Sequence, residues 1–341
     1  MAETMENTFE ARTDLALEEK ERFPGDGGEI QGVELREWNR ENGAIRITEV
    51  VIKNRQGAAD MGKPVGTYLT LEAPVLARKD ENGRKAVARE LADQLRLLFQ
   101  RSGLCGDRGT MPPVLVVGLG NPDATPDALG PRVLDQLRMT RHLYLEYGKE
   151  FTEDNGLPVL SGITPGVMAQ TGMETAEILR GIIRETSPAA VLAVDALAAR
   201  SVHRLGVTIQ LADTGIHPGS GVGNHRNSLT KESLGVPVFA LGVPTVVAAA
   251  AVVHDTVDAM VEVLESESAT RQYGTFMEGL RPEEQYELIR EILEPRFGPM
   301  YVTPHDIDER VEMLSGTISE AIRDAFSRDV RTEEEKEGIF I

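Results

Sequence analysis

The sequence predicts an α/β fold, a three-layer core around a mainly parallel sheet. Three observations carry that expectation. Short apolar runs alternate with helical periodicity from about residue 114 to 264. The run Val114-Leu-Val-Val-Gly-Leu-Gly-Asn121 ends in a glycine-rich turn that delivers Asp127 ahead of a helix. A second apolar run, Ala189-Ala-Val-Leu-Ala-Val-Asp195, also ends in an aspartate. If both runs lie in one parallel sheet, both acids stand at its carboxyl edge, where open α/β sheets bind ligands.

The elements follow in order. Residues 1–14 are polar and acidic and read as a loose arm, and 15–44 read as a short helix and a loop. Ile45–Lys53 and Gly66–Glu72 alternate like half-buried strands, joined by a glycine-bearing connection too long for a tight hairpin. Val87, Leu91, Leu95 and Leu98 recur at helical spacing between Lys85 and Ser102, with Gly103 as a stop. After the 114–119 strand, Asp127 sits where an N-cap would lie, and Pro131 suits a first helical turn. Residues 140–170 are less regular. A helix is expected from Glu174 to Thr186, a strand at Val207–Leu211, another at Val236–Leu241, and an apolar helix from Thr245 to Leu264. Acidic helices near 282–293 and 306–327 follow. One α/β domain over 15–341 is expected, with its core at about 85–265, peripheral strands at 45–75 and a helical acidic region at 266–341.

A chain of 341 residues with 41% hydrophobic and 27% charged residues can bury a full core. Its 55 acidic against 36 basic residues give a net charge of -19. Such a field repels phosphates, so direct nucleic acid binding is not expected. No run is long and apolar enough to span a membrane, and the amino terminus has no apolar signal core. The single cysteine, Cys105, allows no internal disulfide, which points to the cytoplasm.

The leading constellation is the pair Asp127 and Asp195. Two carboxylates held together share a proton, so one can activate water while the other acts as an acid. Against this stands the plainer use of each as a cap or turn former. Asp213-Thr214-Gly215 matches the triplet of pepsin-like proteases, but those are all-β, so a loop bordering the site is the better expectation. Gly118-Leu-Gly120 begins a dinucleotide fingerprint, whose third glycine would fall at Asp123, so the pattern fails. Its glycines, with Asn121, still suit close approach of a substrate backbone. Asp213, His217 and His225 share one loop and could join the aspartates around a metal, although no metal motif is present. Cys105 and Ser220 lack the neighbours a nucleophile needs. No cofactor and no metal are expected.

Several motifs occur in order. They are Arg12-Thr-Asp-Leu-Ala16, Lys63-Pro-x-Gly-x-Tyr-x-Thr-x-Glu-Ala-Pro74, Val116-Val-Gly-Leu-Gly-Asn121, Thr125-Pro-Asp-Ala-Leu-Gly-Pro131 and Thr164-Pro-Gly-Val-Met-Ala-Gln-Thr-Gly-Met-Glu-Thr175. Val194-Asp-Ala-Leu197, Asp213-Thr-Gly-x-x-Pro-Gly-Ser-Gly-Val-Gly-Asn224 and Gly235-Val-Pro-Val-x-Ala-x-Gly-Val-Pro-Thr245 complete the set. Together they resemble the germination protease family of spore-forming Firmicutes over almost the whole chain.

The resemblance implies an endopeptidase that degrades small acid-soluble spore proteins during germination, in the cytoplasm of the spore core. It implies a homotetramer made as a zymogen, with residues 1–14 as propeptide, and a fold similar to that of hydrogenase maturation endopeptidases, a metal-dependent group. The proposed catalytic aspartates of the family carry over to Asp127 and Asp195. Family substrates are cut after an acidic residue and before a hydrophobic residue and Ala, so self-cleavage is expected between Asp14 and Leu15. The cleft loops would draw on Gly118, Gly120, Asn121, Glu174, Asp213, Gly215 and His217. A metal-assisted peptidase using His217 and His225, or a non-catalytic nucleotide- or protein-binding module, are the alternatives. One departure stands out. Pro122-Asp123 replaces the aromatic and amide residues usual after Asn121 and brings a third acid near the pair.

Overall fold

Nine strands form one mixed sheet in this computed structural model, which describes residues 13–21, 30–105, 111–217, 227–266 and 282–327. They are β1 (Val33–Arg40), β2 (Ile45–Ile52), β3 (Gly66–Glu72), β4 (Val114–Gly118), β5 (Leu160–Ile163), β6 (Ala190–Ala199), β7 (Thr208–Ala212), β8 (Val238–Ala248) and β9 (Tyr301–Val302). The order is β1-β2-β3-β7-β8-β6-β4-β5, with β9 on β8. The half that holds both aspartates is parallel: β5, β4, β6 and β8 run the same way. From β8 through β7 and β3 to β1 every pairing is antiparallel. The amino-terminal strands thus continue the central sheet.

Apart from Asp195 and Thr245, the central parallel strands β4, β6 and β8 are apolar because both faces are covered. One face packs Val116, Leu192, Val194, Phe239 and Leu241 against the Glu81–Arg101, Leu129–Gln136 and Ile307–Phe326 helices. The acidic carboxyl-terminal region therefore contributes a core helix, burying Val311, Leu314, Ile318, Ile322 and Phe326. The other face packs Val117, Val191, Ala193, Leu197 and Ala240 against Leu15, Ala16, Met61 and the Thr175–Thr186 helix.

Several elements differ from the sequence expectation. β1 replaces the expected loop; its exposed, charged pattern suits an edge strand and hides the period of a buried one. β6 runs to Ala199, so Asp195 is inside the strand. β8 runs to Ala248, and the helix expected from Thr245 begins at Ala249. Val243, Val246 and Val247 are β-branched, and β6 continues beside them to Val247, so pairing wins over helix. The connection between β2 and β3 contains a helix, Arg55–Met61, capped by Asn54 Oδ1 accepting from the Gly57 N–H at 2.9 Å. Residues 140–170 hold the Arg141–Asp154 helix, β5 and the Met168–Thr171 turn of helix.

Candidate active site

The site is built where β4 stops and β6 continues. Gly118, the last residue of β4, is in register with Val194, and the Leu119 N–H donates to the Val194 carbonyl at 2.8 Å. Asp195 is the next residue of β6, 6% exposed, with its Oδ1 accepting from the Ala196 N–H at 2.9 Å. Beyond this level the space beside β6 is taken by the 119–130 loop, which carries Asp127.

Two glycines let that loop fold back tightly. Gly120 has φ +116, and a β-carbon there would collide with the Asp127 backbone carbonyl. A β-carbon on Gly130 would collide with the Val194 carbonyl and the Leu119 backbone. Asp127 closes a short Thr125–Asp127 turn and does not cap the following helix, whose N-cap is Ala128. Its Oδ2 instead accepts from the Asn121 N–H at 2.7 Å, pinning the carboxylate to the glycine turn. From the other side Thr245 of β8, 2% exposed, donates its hydroxyl to the Pro126 carbonyl at 2.7 Å. The turn bearing Asp127 is thus fixed to β4, β6 and β8 at once. Asp123 is exposed, and Gln170 Nε2 approaches its Oδ2 at 3.5 Å.

The other expected residues divide. Asp213 follows the end of β7, and its Oδ1 accepts from the Thr67 N–H of β3 at 2.7 Å. Gly215 passes against the Leu229 carbonyl beside the Ile216–Leu229 bridge. Glu174 precedes the Thr175–Thr186 helix, and its N–H donates to Glu177 Oε2 at 3.0 Å. His217 lines a small cavity with Asp14, Lys63, Tyr68 and Gln210. Burial of one side and the Lys63 ammonium lower its pKa, and the Asp14 carboxylate opposes them. The Tyr68 phenol is pushed up to about 12, chiefly by burial, with a Thr214 hydrogen bond opposing and Asp213 adding to the shift. His225 and Ser220, like residues 1–12 of the arm, lie outside the described residues. Among the described residues no group of three or more His, Cys, Asp or Glu is placed to hold a metal ion.

The segment Thr13–Ala16 lies against this edge. The Asp14 N–H donates to the Ala198 carbonyl at 3.1 Å, and Asp14 Oδ2 accepts from the Ala198 N–H at 2.9 Å. Leu15 and Ala16 are fully buried. Glu18, 1% exposed, accepts from the Arg200 and Ser201 N–H groups at 2.8 and 3.1 Å and from the Thr13 hydroxyl, with Arg204 Nε at 3.3 Å. Burial raises its pKa, and those four partners oppose the shift. Three residues with contacts here had no site role in the sequence expectation: Lys63, Gln210 and Thr245. Gln210 carried a signal, being an amide between Ile209 and Leu211 in a buried strand.

The germination protease family model matches residues 8–272. A germination protease of Caldanaerobacter subterraneus subsp. tengcongensis is 45% identical, covering 91% of this chain and 92% of that protein. One from Clostridium tetani is 41% identical over 95% of this chain and 97% of its own length, and one from Priestia megaterium 35% over 95% and 96%. Among solved structures, the [NiFe] hydrogenase maturation protease HycI from Thermococcus kodakarensis KOD1 aligns at 19% identity, with 62% of this chain and 92% of that chain covered and a TM-score of 0.27. An α/β protein with germination proteases as relatives at this identity and coverage is a peptidase. The chain belongs to the germination protease family, endopeptidases of spores. No helix among the described residues is long and apolar enough to cross a membrane.

Proposed function

We propose that this chain is a self-activating endopeptidase that uses Asp127 and Asp195 as an acid/base pair, first on its own Asp14–Leu15 bond and then on small acid-soluble spore proteins. One carboxylate takes a proton from water as it attacks the carbonyl, and the other donates to the leaving nitrogen. Residues 1–14 are the propeptide, the working form is a homotetramer, and the site of action is the cytoplasm of the spore core.

The observation that carries this reading is the docking of Thr13–Ala16 on the strand that bears Asp195. Asp195 shares its face of the sheet with Ala193 and Leu197, and this is the face that Leu15 packs on. Leu15, on one side of the bond to be cut, and the acid proposed to cut it therefore lie on one face of the sheet. The sequence Asp14-Leu-Ala16 matches the acid–apolar–Ala pattern of the family's substrates. A peptide containing Asp-Leu-Ala, incubated with the processed protein, should be cut after Asp. An intact peptide, with wild-type protein shown to be folded, refutes the proposal.

A further inference from the structure

We infer that Lys63 and Gln210 hold the carbonyl oxygen of the bond this chain cuts in itself, an inference that rests on Asp14–Leu15 being the processing site. Lys63 Nζ donates to the Asp14 carbonyl oxygen at 3.1 Å and to that of Thr13 at 3.2 Å. Gln210 Nε2 donates to the same Asp14 oxygen at 3.1 Å. Gln210 Oε1 accepts from the Ala16 N–H at 2.7 Å. One amide thus grips the backbone on both sides of the bond, and a cation joins it on the carbonyl.

The register puts this grip in front of Asp195. Asp195 pairs with Gly242 on β8, and Gly242 pairs with Gln210 on β7. The three form a row across the sheet, and Asp195 and Gln210 stand two strand spacings apart, about 9.6 Å. The residue between them has no side chain. Gln210 is 9% exposed and sits between two core residues, Ile209 and Leu211, so the face its side chain takes is fixed by the strand.

Donors held at this distance stabilise charge that develops on a carbonyl oxygen. Water oxygen bonds to the Asp14 carbonyl carbon, and its proton passes to the ionised member of the aspartate pair. The carbonyl π electrons move to the oxygen, where Lys63 and Gln210 hold the negative charge. As the carbonyl re-forms, the C–N bond breaks, and the protonated member of the pair gives its proton to the Leu15 nitrogen. The products are an Asp14 carboxyl and a Leu15 amine. With the oxyanion held this way, neither aspartate has to protonate it.

The test follows self-cleavage of the full-length chain, as a first-order rate of appearance of the Leu15 amino terminus, together with hydrogen exchange at the Leu15 and Ala16 amides. Lys63→Met should slow the reaction by about 10²–10³-fold with the two amides still protected, and Lys63→Arg should restore most of the rate. Gln210→Glu keeps the acceptor for Ala16 but replaces the donor with a repelling carboxylate, and should slow the reaction at least as much; it carries the test if Lys63→Met does not fold. Full-rate cleavage in a folded Lys63→Met or Gln210→Glu chain overturns the inference. A rate loss matched by loss of amide protection also overturns it, since that reduces both residues to anchors. A wild-type chain that never yields a Leu15 terminus overturns the processing site itself, a separate outcome.

Discussion

Gly120→Ala offers a sharp test of how Asp127 is positioned. A β-carbon built on Gly120 lands 1.9 Å from the Asp127 carbonyl oxygen and 3.1 Å from its Oδ1, where real β-carbons essentially never come within 3.0 Å. Relief requires the loop to move by about 1 Å, and a misplacement of that size costs about 10²-fold in rate. The left-handed φ of +116 adds backbone strain of about 1–3 kcal/mol. The control is Gly62→Ala, also at positive φ (+60) but with nothing within 4 Å of the added carbon. Gly62→Ala should lower Tm and leave the rate of peptide cleavage unchanged. Gly120→Ala should lower Tm at least as much and cut the rate at least about 10²-fold. Wild-type rate in folded Gly120→Ala would refute the placement of Asp127 by this turn.

Other perturbations separate the remaining contacts. Thr245→Val leaves the Pro126 carbonyl without its 2.7 Å partner and should cost about 1–3 kcal/mol in denaturant unfolding, with slower cleavage; unchanged stability would show that the contact is idle. Glu18 has a raised pKa when folded, so its contribution to stability is full below its ordinary value of 4.5 and is lost as pH rises through the raised one. Glu18→Gln should therefore flatten the stability–pH curve above 4.5, and a parallel curve for the two proteins would contradict the shift. The Asp14 carboxylate raises the pKa of His217 against burial and Lys63. Asp14→Asn, which removes the charge and keeps the arm in place, should lower it further in an NMR titration, and an upward shift would contradict that contact.

The parallel half of the fold was legible because strands buried on both faces are written as apolar runs, as in Val114–Gly118 and Ala190–Val194. β1 was not, since Glu34, Arg36, Glu37 and Arg40 face solvent on an edge. The end of β8 was not, because the unbroken apolar stretch from Val246 to Val253 fits a buried strand or a buried helix equally until its neighbour is known. Asp127 and Asp195 could be singled out by their place after apolar runs. That Asp127 leaves the helix uncapped depends on the Asn121 amide, a partner only the folded turn supplies. Lys63 and Gln210 meet the arm across 49 and 196 positions, and even the lone amide of Gln210 in a buried strand does not announce which partner it meets.

The same long-range geometry makes the central claim testable in one measurement. Full-length wild-type protein and the folded Asp195→Asn variant are incubated side by side and their amino termini sequenced. Wild type should yield chains beginning at Leu15, and the variant should stay unprocessed. Chains beginning at Leu15 from both would contradict cleavage by Asp195.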